Sequence, residues 1–239
     1  MFLPIFIGGV VVSVSTALYF NSSKPVKNTE FLRLVDQIDE TTSLFKQLIT
    51  ADKSFLNNIQ KIRNDLKDIE NSDEPLKIVM STNGGALFNC SRLIRLLRSR
   101  GNGYTLYVRK YCMSAGTLIA LGATEIIMLE EDSFLGKIDP QISIANTQES
   151  MVHIIKAGKR TNDLKFTDLT KILKAEDAEN EINEILNYLQ LEPKLNEKIK
   201  NELIYSSYPH EHKFDFQYCK DVLGLPVRTP LTSELHYFE

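Results

Sequence analysis

A single serine, Ser114, sits in the run Tyr111-Cys-Met-Ser-Ala-Gly-Thr-Leu-Ile-Ala-Leu-Gly-Ala-Thr-Glu-Ile-Ile-Met128, where most residues are apolar or small. About thirty residues upstream lies Ser81-Thr-Asn-Gly-Gly85. Consecutive glycines let the backbone approach a ligand closely and adopt positive φ. Amides exposed in such a turn can donate to an oxyanion. A hydroxyl that opens a buried helix lies at the positive end of the helix dipole, which stabilises developing negative charge. A nucleophile and amide donors are the parts of acyl-transfer chemistry. Each feature also has a plainer reading. Serine is among the best helix N-caps, and Gly84-Gly85 alone reads as a tight turn.

These residues must be delivered by the elements around them. Lys77–Ser81 reads as a short buried strand, with a turn over Thr82–Gly85. Leu87–Arg98 reads as a helix with Leu93, Ile94, Leu96 and Leu97 in the core, ended by Gly101-Asn-Gly103. Tyr104–Val108 is a second strand, Ser114–Leu121 a helix and Glu125–Leu129 a third strand. Alternating strands and helices predict an α/β fold of parallel β-α-β units. In a parallel sheet, reactive groups gather beyond the carboxyl ends of the strands, where both motifs fall. Asp52 caps a helix carrying Phe55, Ile59, Ile62, Leu66 and Ile69. The stretch 136–146 reads as irregular, 147–188 as charged and largely helical, and 194–205 as another helix. A loop with His210 and His212 leads to a last helix over Phe216–Leu223, stopped by Gly224, and the tail from Arg228 reads as irregular.

The chain has 239 residues, 43% of them hydrophobic, enough for one substantial core. With a net charge of −3 it offers no basic patch suited to nucleic acid. Its three cysteines, Cys90, Cys112 and Cys219, make neither a disulfide framework nor a zinc site. Nothing resembles a phosphate loop or a metal cluster, so no cofactor or metal is expected. Met1–Phe20 contains no charged side chain. About 20 helical residues span roughly 30 Å of hydrocarbon, so residues 1–20 are expected to anchor the chain in a lipid bilayer. No Lys or Arg precedes this run, unlike the usual cleaved signal peptide. Lys24, Lys27 and Arg33 place the side after the anchor in the cytosol. The expected organisation is an anchor over 1–20, a linker over 21–29, a catalytic domain over 30–227 and a tail over 228–239.

The segments Ser81–Gly85, Tyr111–Met128 and Leu135-Gly-Lys-Ile-Asp-Pro-Gln141 together resemble the serine dehydrogenase proteinase family. That family is similar to signal peptide peptidase A and to the proteolytic subunit of Clp protease, within the Clp–crotonase fold. Tyr208-Pro-His-Glu-His212 and Phe216–Pro226 resemble its C-terminal histidine loop and closing helix. The resemblance runs from about Leu76 to Val227. It implies a β-α-β superhelix and a membrane-anchored, homo-oligomeric serine peptidase acting on polypeptides. Ser114 matches the nucleophile, and Gly85 and Ala115 match the oxyanion-hole residues, with Gly84 in support. Asn83 and Ala115 depart from the proline and glycine usual at those positions; an alanine still supplies its N–H.

The base is less sharply indicated. In the Clp relatives a histidine follows the serine, and here that region offers Asp139, a poor base because free aspartate has a pKa near ~3.9. In the signal peptide peptidase relatives a lysine serves, and the nearest analogues are Lys156 and Lys159, although the aligned position falls near Thr161. A lysine works as base only where burial lowers its pKa. His153 and His210 are further candidates, since histidine titrates near neutrality. Lys159 and Lys156 are preferred to His210. The competing expectations are an inactive membrane-tethered scaffold of the same fold and a crotonase-type acyl-thioester enzyme.

Overall fold

A computed structural model describes residues 31–35, 75–99, 101–144, 147–160 and 165–238, the first group as backbone only. The expected anchor, linker and capped helix after Asp52 lie outside the described residues. Among the described residues no helix is long and apolar enough to cross a membrane.

Strand β2, Leu76–Thr82, is an interior strand of the sheet. Its LKIVMST sequence is a nearly unbroken apolar run, the pattern of a strand covered on both faces. It pairs in parallel with β1 (Phe31–Val35) on one side and β3 (Tyr104–Cys112) on the other. β3 pairs in parallel with β4 (Glu125–Met128), and β4 with β9 (Val227–Arg228). The order β1-β2-β3-β4-β9 is therefore parallel throughout, as the alternation of strands and helices predicts. Helix α1 (Leu87–Arg98) crosses from β2 to β3, and helix α2 (Ala115–Leu121) from β3 to β4. Ile78, Met80, Leu106, Val108, Ile126 and Met128 face the helices and form the main core with Ile94, Leu97, Leu118 and Ile119.

β3 is longer than its strand-like opening suggests, and it serves two partners. Met80 lies opposite Val108 and Thr82 opposite Cys112, so the register shifts between them. Two steps along β2 match four along β3. Such bulges bend a strand and re-aim the residues beyond them. On its other edge, past the end of β4, β3 pairs in parallel with β5 (Phe134–Gly136), through Tyr111↔Phe134 and Cys112↔Leu135. β5 in turn pairs antiparallel with β8 (Lys213–Phe214), inside the segment expected to be a plain loop.

Residues 136–150 are more regular than expected. Gln141–Ile144 (β6) and Thr147–Ser150 (β7) form an antiparallel hairpin, so the helical reading of 147–150 gives way. Alternating exposure along Gln-Ile-Ser-Ile is a strand period, which the surrounding charge hid. The long helical stretch divides into α3 (Met151–Gly158) and α4 (Phe166–Leu189). Helix α5 (Pro193–Ile199) continues through a wider turn over Lys200–Ile204, where the Tyr205 amide donates to Lys200 O at 2.8 Å. A last helix ends at Gly224, whose φ of 73° is the left-handed conformation that glycine adopts freely.

The tail is a second correction. Arg228 donates to Glu125 at 2.8 and 3.1 Å and to Glu234 at 2.7 and 2.8 Å. The Tyr107 hydroxyl donates to Glu234 at 2.9 Å. A 3₁₀ turn over Thr232–Tyr237 then lays Tyr237 and Phe238 on Val79, Tyr107 and Ile127, the sheet face turned away from the helices. Hydrogen bonds from Arg228 hold the Glu234 carboxyl down to about 2, from an ordinary 4.5. A depressed carboxylate stabilises the fold above its unfolded pKa, and that contribution disappears as pH falls through the folded value. Glu234→Gln should therefore be less stable than wild type above pH 4.5. The difference should shrink as the pH falls toward about 2, as urea unfolding at a series of pH values will read. A gap that stays constant across that range contradicts the assignment.

Candidate active site

Two strand ends converge. The Met113 amide donates to Thr82 O at 2.9 Å, tying the exit of β3 to the exit of β2. Gly84 has φ of 101° and is buried. A Cβ there would meet Met113 O at 2.7 Å, Ser114 Cβ at 2.9 Å and Ala115 N at 3.1 Å. The diglycine turn thus lies directly against the serine turn, and only a residue without a side chain permits that approach. The Gly84 amide is engaged by Thr82 Oγ1 at 3.1 Å. Gly85, next along, is half-buried. Helix α2 comes equally close, since a Cβ on Gly116 would meet Thr82 Cγ2 at 2.5 Å.

Ser114 occupies the N-cap position of α2 with φ 51° and ψ −115°, and its side chain makes no capping bond. N-cap residues ordinarily sit in the extended region with φ negative. The plain capping reading therefore loses its basis. A non-glycine residue held in a sparsely populated region costs roughly 1–3 kcal/mol and persists only where surrounding structure imposes it. Here the fully buried helix α2 and the Gly84 contact impose it. The hydroxyl is left half-buried at the junction. Ala115 is the first helical residue, and an amide at that position has no partner within its own helix.

The neighbouring thiols are unsuited to the same chemistry. Burial pushes the Cys90 thiol far up, and its Sγ donates to Ala115 O at 3.2 Å. Cys112 is fully buried. Burial, with Asp215, pushes Cys219 up to about 12.

Strand β5 closes the other side. The Gly136 amide donates to Thr117 Oγ1 at 3.1 Å, and that hydroxyl lies 2.7 Å from both Cys112 O and Gly136 O, donating to one of them. A Cβ on Gly136 would lie 3.0 Å from Met113 Cα. The next residues are buried and charged. Lys137 Nζ donates to Tyr208 O at 3.0 Å and lies 3.6 Å from Asp139 Oδ2. Ser150 Oγ donates to Asp139 Oδ1 at 2.8 Å and accepts from the His153 amide at the start of α3. Asp139 is therefore an interior ion-pair partner.

The candidate bases separate. Lys156, Lys159 and His153 are exposed on α3 and its last turn, and none is hydrogen-bonded or ion-paired to Ser114 among the described residues. His210 lies in the turn that begins at Tyr208, and its Nδ1 is enclosed without a hydrogen-bond partner. His212 stacks on Tyr208 with ring centroids 4.0 Å apart. Lys137 was not among the residues singled out by type and spacing. The available signal was a lone lysine inside the apolar Phe134-Leu-Gly-Lys-Ile138.

This pairing of a strained serine turn with a diglycine turn at adjacent parallel strand ends belongs to a known class. The chain is a member of the ClpP-like SDH-type serine proteinase family, whose model matches residues 46–238. It is 31% identical over 170 residues to an uncharacterized protein of Methanocaldococcus jannaschii, covering 69% of this chain and 57% of that protein. A second uncharacterized protein of the same organism is 27% identical over 167 residues, with 69% and 56% covered. The chain thus spans a little over half the length of these curated relatives. Among solved structures, it aligns with a probable enoyl-CoA hydratase/isomerase from Mycobacterium abscessus at a TM-score of 0.44 and 10% identity. That alignment covers 88% of this chain and 69% of the other.

If the Ser114 backbone is strained, glycine should relieve it where alanine does not. Ser114→Gly should be more stable than Ser114→Ala by roughly 1–2 kcal/mol in urea unfolding. Equal stability, or a deficit, would show that the turn is relaxed. Gly84→Ala should lose roughly 1–3 kcal/mol through its positive φ and its collision with the serine turn.

Proposed function

We propose that this protein is a membrane-anchored serine peptidase in which Ser114 is the nucleophile. The observation that carries the reading is the uncapped, positive-φ serine pressed against Gly84. Ser114 Oγ attacks the carbonyl carbon of a peptide bond while a base takes its proton. The resulting oxyanion accepts hydrogen bonds from the Gly85 and Ala115 amides, each worth roughly 3 kcal/mol in comparable sites. Collapse expels the amine, which receives the proton, and water then releases the acyl group.

Of the candidate bases, His210 has the strongest support, because its turn is bonded to Lys137, which follows the Gly136 that packs on Met113, and its Nδ1 is enclosed. Lys156 and Lys159, exposed on a surface helix, have less. No cofactor enters this chemistry. The substrate is an extended polypeptide, the working form is a homo-oligomer, and residues 1–20 hold the chain at a bilayer with the catalytic domain, 30–227, on the cytosolic side. Family membership supports the peptidase and oligomer parts of this reading, and the uncharged N-terminal run supports the anchor.

A fluorophosphonate probe tests the centre of it. Wild type should form a covalent adduct mapped to Ser114, with His210→Ala slowing labelling about 10²-fold or more. Ser114→Ala should not label. Equal labelling of wild type and Ser114→Ala removes the proposal, and a wild type inert to the probe replaces it with a non-enzymatic scaffold of the same fold.

A further inference from the structure

Lys137 and Asp139 are the only charged side chains fully buried among the described residues. Burying such a pair is costly, and apolar residues of similar volume commonly stabilise a core as well or better. The location of the pair suggests its use. Tyr111 pairs with Phe134 and Cys112 with Leu135, and the Gly136 backbone abuts Met113. Lys137 therefore follows directly on the residue that packs against Met113, the neighbour of Ser114. Its ammonium reaches across to Tyr208 O at 3.0 Å, on a turn that belongs to a different part of the chain. Two residues later comes His210, with its enclosed and unpartnered Nδ1. Asp139 holds the ammonium from the other side and is itself fixed by Ser150.

We infer that Lys137 is a positioning residue: anchored by Asp139, it fastens the Tyr208–His212 turn to the strand edge beside Ser114 and so sets the histidine. The other links of this turn agree. The Ile138 amide donates to Leu203 O at 2.7 Å, just before the turn, and β8 pairs with β5 just after it. Those two links secure the ends of the turn, the Tyr208–His212 stack stiffens it, and Lys137 grips its main chain at Tyr208. The inference rests on the proposed role of His210 for its catalytic meaning, and on geometry alone for the positioning.

The test replaces the pair without stranding a charge. In the full chain, Lys137→Met with Asp139→Asn removes the ammonium and keeps an acceptor for Ser150. Diethyl pyrocarbonate modification is mapped by mass spectrometry, with exposed His153 as internal reference. The His210-to-His153 ratio should rise several-fold in the variant while the thermal midpoint certifies folding. Fluorophosphonate labelling of Ser114 should fall about 10²-fold, and adding His210→Ala should then cost less than about a further twofold, since coupled residues do not add. Lys137→Arg, which keeps a donor for Tyr208 O, should hold the wild-type ratio and serves if the paired variant does not fold. An unchanged ratio in the folded pair, an elevated ratio in Lys137→Arg, or multiplicative losses with His210→Ala overturn the inference. A wild type that resists the probe ends the peptidase reading but leaves the modification ratio to decide the positioning.

Discussion

The structure depends on one steric constraint: no Cβ fits between the turn after β2 and the turn after β3. Gly84 packs on Met113 O and Ser114 Cβ at distances a side chain cannot share. That contact brings two backbone turns together at the ends of neighbouring parallel strands. It also keeps Ser114 from relaxing toward an ordinary helix cap. Strain held in this way is stored by the packing around it, and the buried helix α2 supplies the rest of that packing. A polar group at a strand end becomes a site because the backbone around it has nowhere else to go.

The length of β3 beyond the end of β4 gives the same region its second side. β4 pairs with β3 only as far as Met128, opposite Val108. The edge it leaves is taken by β5 at Tyr111 and Cys112, while Cys112 stays paired with Thr82 on the other side, and β5 carries β8 with it. This relay of strands ties the histidine turn to the strand whose Gly136 packs against Met113. Thr117 reinforces it from helix α2 with one hydroxyl shared between Cys112 and Gly136. The buried Lys137–Asp139 pair completes the relay with charge in place of main-chain pairing.

The opposite face of the sheet obeys a different logic. Three side chains there, Val79, Tyr107 and Ile127, are covered by two aromatic residues of the tail. The cover is thin, and polar bonds hold it in place. Arg228 bridges a strand residue, Glu125, to a tail residue, Glu234, which also accepts from Tyr107. Such a face resists acid only as long as Glu234 stays ionised.

Much of the parallel sheet could be read from the chain, because LKIVMS and YTLYV carry the unbroken apolar character of buried strands and the helices between them carry periodic leucines. Ser114 and Gly84-Gly85 were legible for the same local reason: hydroxyl and paired glycines stand out against apolar surroundings. The ordered tail and the extension of β3 were not, since each depends on partners distant in sequence, and the short pairing of 141–144 with 147–150 was hidden by the polar and charged residues around it. Lys137 escaped notice because a lysine's burial is invisible until its acceptors, Tyr208 O and Asp139, are in place. Residue type and spacing by themselves determined which strands form and which groups stand at their ends. Tertiary structure alone decided that the serine's hydroxyl goes uncapped, that the preferred lysines face solvent and that a buried ion pair grips the histidine turn. Those outcomes are set by contacts between segments up to about eighty residues apart, and no local pattern encodes such distances.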